Sequence, residues 1–78
     1  MTAERLQAVE LSQALARLEP RLRDVLERRF GLAGSNPQTL EHIGKELGIT
    51  RERVRQLETR ALKELRLSAP ELSYYLTT

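Results

Sequence analysis

The sequence predicts an all-α fold: a small bundle of about five helices, with a helix-turn-helix at about residues 39–66. Three observations support it. Apolar residues recur at the three-and-four spacing of amphipathic helices in successive segments. Short breakers separate those segments: Glu19-Pro20, the run GLAGSNPQ from Gly31 to Gln38, and Leu67 to Pro70. Within TLEHIGKELGITRERVRQLETR, Thr39 to Arg60, two short apolar-periodic segments meet at Gly48-Ile49-Thr50, the pattern of a helix-turn-helix.

The first helix is expected from about Ala3 to Leu18, with Ala8, Leu11, Ala14, Leu15 and Leu18 on one stripe. Glu19-Pro20 ends it, because proline disfavours helix at the residue before it and suits the first position of a new one. Arg21 to about Phe30 forms the second helix, with Leu22, Val25, Leu26 and Phe30 on one side and Arg21, Arg28 and Arg29 elsewhere. Gly31 to Gln38 is a loop because its glycines, serine, asparagine and proline each favour turn geometry. Thr39 caps a third helix on which Leu40, Ile43 and Leu47 face one way. Ile49, Val54 and Leu57 complete a small core with them. Gly44 lets the two motif helices approach closely, and Gly48 supplies the positive φ that a tight turn after a helix needs. Thr50 is a good N-cap for the fourth helix. On that helix Val54, Leu57, Ala61 and Leu65 fall on one arc, and Glu52, Gln56, Thr59 and Lys63 on the opposite one. Ser68-Ala69-Pro70-Glu71 fits a capping box for a short fifth helix bearing Leu72, Tyr75 and Leu76.

A chain of 78 residues makes one domain, here 1–78, and buries only about 60% of its unfolded surface, which leaves room for one function. The absence of cysteine excludes disulfides and thiolate metal sites and fits a reducing compartment. The opening MTAERLQAVE lacks an apolar signal core, and no apolar run is long enough to span a bilayer. A soluble, cytoplasmic protein is expected. The net charge of +2 is uninformative, but its distribution is not. Residues 21–30 carry four arginines against Asp24 and Glu27, and residues 51–66 carry six basic residues against three glutamates. Positive charge is concentrated on the second and fourth helices, which points to nucleic acid, although arginine and glutamate also interleave on ordinary solvated faces.

A helix in the major groove presents mainly its N-terminal residues to base edges, so Arg51, Glu52, Arg55 and Gln56 are the natural candidates. Arginine donates a bidentate pair to guanine, glutamate accepts from the cytosine amino group, and an amide pairs with adenine. Glu52 also sits where an acid meets the helix dipole favourably. Arg21, Arg29 and Arg60 are candidate phosphate clamps, and the backbone amides that open the Leu40 helix form another anion site. No catalytic constellation is present. His42, the single histidine, lacks any cysteine or histidine partner for a metal, and the glycines of GLAGSNP match no phosphate-binding pattern. Neither metal nor cofactor is expected.

At ITRERVRQLETRALKEL the chain resembles region 4 of the bacterial RNA polymerase sigma factors of the sigma-70 family. That family's signature there is a TRERhRQhE string, h being apolar, followed by an AL-L pattern. The upstream RDVLERRFGL and TLEHIGKELGI are similar to the family's preceding segment and first motif helix. The resemblance covers roughly Leu18 to Arg66. It implies about five short helices, recognition of the -35 promoter element in double-stranded DNA, and docking onto the flap of the polymerase β subunit. Base reading is implied at Arg51, Glu52 and Gln56. Phosphate contact is implied at Arg21, Arg29, the Leu40 backbone, Glu41, Arg53, Arg55 and Arg60, with activators meeting Arg53 and Arg55. The sequence departs from the family at His42, where relatives often carry an acid, and after Arg66, where LSAPELSYYLTT replaces a basic tail.

No segment resembles the promoter-melting or core-binding parts of a whole sigma factor, so the chain is expected to be an excised domain, monomeric when isolated and a weak DNA binder alone. Two other readings remain open. One is the output domain of a response regulator, which uses a similar motif and normally dimerises. The other is a docking module for an activator or anti-sigma protein, with Leu65, Leu67, Leu72 and Tyr75 either forming the docking surface or closing the core.

Overall fold

In the computed structural model, residues 10–32, 34 and 36–70 are described, and all regular structure among them is helical. Helix α1 is described over residues 10–16, followed by a turn. Helix α2 is Pro20–Phe30, α3 is Leu40–Leu47 and α4 is Arg51–Ser68. Four helices therefore stand among the described residues, where about five are expected for the chain. The expected fifth, with Leu72, Tyr75 and Leu76, falls on residues 71–78, outside the described residues.

Each boundary follows from local chemistry. Pro20 opens α2 at a position whose N–H would have no intrahelical partner. The helix ends at Gly31, which takes φ 70°, and both Gly31 and Leu32 donate to the Glu27 carbonyl. Helix α3 is capped by Thr39, whose Oγ1 accepts from the His42 amide at 3.1 Å. It ends in the same way as α2: Gly48 takes φ 73°, and Gly48 and Ile49 donate to Gly44. Helix α4 is capped by Thr50, which accepts from the Arg53 amide at 3.0 Å. It continues to Ser68, past the expected break at Leu67, because nothing before Pro70 opposes helix. Ala69 leaves the helical region (φ −148°, ψ 70°), as a residue preceding proline is driven to do.

Helices α2 and α3 both pack on α4. Leu22, Val25, Leu26, Ile43, Val54 and Leu65 are fully buried at the centre, and α1 adds Ala14 and Leu15. Leu40, Leu47 and Ile49 pack partly buried around the motif's share of this core, with Ile43, Val54 and Leu57 inside it. Gly44 marks a close approach of α3 to the turn before α4: an added Cβ would lie 2.7 Å from the Ile49 carbonyl oxygen. Leu65 closes the core and offers no surface to a partner, whereas Leu67, two residues on, is 76% exposed. Leu72 and Tyr75 lie outside the described residues.

Candidate nucleic-acid interface

The inner arc of α4 is consumed by the core, and this fixes which side chains its first two turns can offer. With Val54 and Leu57 buried, Arg51, Glu52, Arg53, Arg55 and Gln56 all stand exposed. Within this group Arg55 holds Glu52 with two parallel bonds, Nε to Oε1 at 3.0 Å and Nη2 to Oε2 at 2.6 Å. The hydrogen bonds from Arg55 hold the Glu52 carboxyl below its ordinary value, helped by the Arg55 and Arg51 charges, and Arg55 is raised in return. Glu52 is therefore a fixed, ionised acceptor with lone pairs to spare. Arg53 donates Nη1 to Gln56 Oε1 at 3.3 Å, and a hydrogen bond from Gln56 also helps to hold the Glu52 carboxyl low. Arg51 makes no ion pair among the described residues.

The start of α3 presents a second feature. The His42 amide is taken by the Thr39 hydroxyl and the Ile43 amide by the Thr39 carbonyl. The amides of Leu40 and Glu41 are then the first-turn donors with no intrahelical acceptor, an arrangement suited to an anion. The Glu41 side chain is exposed and acidic, so any phosphate contact there belongs to the backbone.

The other arginines differ from one another. Arg21 is exposed and makes no ion pair among the described residues. Arg60 bonds Glu64 one turn ahead (3.1 Å) and reaches Glu19 at 3.4 Å, tying α4 to the junction before α2. Arg29 is turned inward: its Nη1 donates to the Gln38 carbonyl at 3.1 Å, and its Nε lies 3.3 Å from Oε2 of Glu58. About a third of its side chain (32%) stays exposed.

Sequence reasoning missed Glu58, which is 5% exposed and is the one buried charged residue among those described. The signal was present. Position 58 lies four residues after Val54 and three before Ala61, inside the apolar arc, and a charge there announces an internal partner. Also missed was a surface cluster in which Arg28 joins Asp24 and Glu46, with His42 beside Glu46 at 3.3 Å. Among the described residues no helix is long and apolar enough to cross a membrane.

The match to known proteins covers these same elements. Residues 14–67 match the family model described as "Sigma-70, region 4". The chain is similar to the principal sigma factor HrdD of RNA polymerase from Streptomyces coelicolor, 39% identical over 88% of this chain and 21% of the relative. It is also similar to the sigma factor SigA1 of Synechococcus elongatus, 47% identical over 82% of this chain and 16% of the relative. For SigA of a Nostoc species the figures are 49%, 73% and 15%. The chain thus spans about a fifth or less of the length of these relatives. With more than half of its residues matched, from α1 through α4, the chain belongs to the sigma-70 region 4 family.

Proposed function

We propose that this domain reads the -35 element of promoter DNA on behalf of RNA polymerase as part of a sigma factor, acting in the cytoplasm. The observation that carries the reading is the division of α4. One arc is wholly buried, and the other presents Arg51, Glu52 and Gln56 to solvent at the N-terminal end, where a major-groove helix meets base edges. Arg51 reads guanine, Glu52 accepts from a cytosine amino group, and Gln56 pairs with adenine. Each good pair discriminates by about 1–3 kcal/mol. Arg21, Arg53 and Arg60, with the amides of Leu40 and Glu41, fix the helix on the duplex through phosphates. Arg55 contributes with the guanidinium nitrogen that Glu52 leaves unused, and Arg29 with its exposed part.

Family membership favours this reading over a response-regulator output domain. Docking to the polymerase β flap and to activators or anti-sigma proteins belongs to the same proposal, with Arg53, Arg55 and the exposed Leu67 as the surface residues on offer. The test is a titration of labelled duplexes carrying a TTGACA-like hexamer or a scrambled one, at two salt concentrations. Tighter binding to the first is expected at both salts. Equal affinity for the two would sink the sequence-reading claim.

A further inference from the structure

Glu58 is an expensive residue to keep. A carboxylate taken out of water needs a partner, and an apolar group of similar volume at such a site is commonly neutral or stabilising. Here the pairing is imperfect as well: Glu58 Oε2 and Arg29 Nε stand 3.3 Å apart without forming an aligned hydrogen bond. Stability alone does not account for it, and its connections offer another role. From Glu58 on α4 the chain of contacts passes to Arg29 on the last turn of α2, and from Arg29 Nη1 to the Gln38 carbonyl at 3.1 Å. The Gln38 amide in turn donates to the Arg28 carbonyl at 2.9 Å. Gln38 is followed by Thr39, the cap of α3, and then by the Leu40 and Glu41 amides.

We propose that Glu58 is a positioning residue for DNA binding: through Arg29 and the Gln38 carbonyl it sets the phosphate-binding start of α3 relative to the reading helix α4. The inference rests on the DNA-binding reading above. Arg29 in this role acts mainly inside the protein, orienting a phosphate site built from backbone, and a buried acid is needed because it holds the guanidinium in one place. Glu58 touches no DNA.

The test is a double-mutant cycle on the whole chain, with Glu58→Gln, Arg29→Met and the pair, titrated with the TTGACA-like and scrambled duplexes across salt. Glu58→Gln is expected to weaken both duplexes by about tenfold, the scale of one charge-assisted hydrogen bond to phosphate lost at the start of α3. It should lower the salt slope by about 0.9, one phosphate's worth, and leave the ratio between duplexes intact. In the Arg29→Met background the same substitution should have no further effect, because its route to α3 is already cut. Amide chemical shifts of Leu40 and Glu41 on adding the scrambled duplex should shrink in Glu58→Gln. If Glu58→Gln loses helicity, Glu58→Leu replaces it in the same comparison. Unchanged affinity and slope, or an equal loss in both Arg29 backgrounds, overturns the inference. A wild-type chain that fails to distinguish the duplexes overturns the functional reading instead, and the two failures are read from different arms.

Discussion

Replacing Gly44 with alanine sets two effects of opposite sign against each other. Alanine in a helix interior is favoured over glycine by about 1 kcal/mol, so propensity alone predicts a more stable domain. Packing predicts the reverse. The new Cβ would sit 2.7 Å from the Ile49 carbonyl oxygen, with Thr50 C at 3.4 Å and Arg51 N at 3.5 Å. These are backbone atoms of the turn and of the start of α4, so no flexible side chain can swing away, and Ile49 is further held by its own hydrogen bond to the Gly44 carbonyl at 2.9 Å. Relief requires α3 and the turn to separate. Overpacking of this kind costs about 1–3 kcal/mol, and with so rigid a neighbour the upper part of that range applies. The net expectation is a loss of about 1–2 kcal/mol, which in a domain of this size lowers Tm by roughly 4–16 °C. Gly48→Ala is the control: a Cβ there meets nothing within 4 Å, so only the strain of φ +73° remains, about 1–2 kcal/mol. Thermal melts followed by helical circular dichroism measure both. A Gly44→Ala domain that melts at or above the wild type would refute the close-approach reasoning.

Two further outcomes concern the reading face. Glu52→Ala should relax preference at one G·C pair by about 1–3 kcal/mol, while Arg60→Ala should weaken all duplexes alike and flatten the salt slope by about one; identical behaviour would dissolve the division into readers and clamps. The pH dependence of the Glu52–Arg55 pair has a definite sign. Because the folded-state value lies below the ordinary 4.5, the pair's contribution is present above that value and is lost as pH falls through the lowered one. Both groups are exposed, so the effect on stability is small, and the direct measurement is an NMR titration of the Glu52 carboxyl. Its midpoint should rise toward 4.5 in Arg55→Ala, and an unmoved midpoint would show that Arg55 does not hold the carboxylate.

The parts of this domain that sequence disclosed are those governed by short-range rules. Thr39, Thr50, Pro20, Gly31 and Gly48 act within a turn or two of chain, and each stands where its chemistry requires. The buried arc of α4 and the close approach at Gly44 were legible for the same reason, since helical period and residue size specify them. The rest depended on contacts across the chain. Arg29 reads in sequence as one more surface cation on a basic helix, and only the packing of α2 against α4 turns it toward Glu58. Leu65 and Leu67 are chemically the same residue two positions apart. The rotation between them sends one into the core and the other into solvent.

The two sides of α4 draw on separate sets of interactions. Near the N-terminus of α4 the outer side chains bond one another, Glu52 with Arg55 and Gln56 and Arg53 with Gln56, while the inner side is held by Val54, Leu57, Ala61 and Leu65. Vocabulary and scaffold are thus independent in this helix. Under the proposed reading, new side chains at positions 51, 52 and 56 would give the same bundle a different target sequence without any repair of the fold.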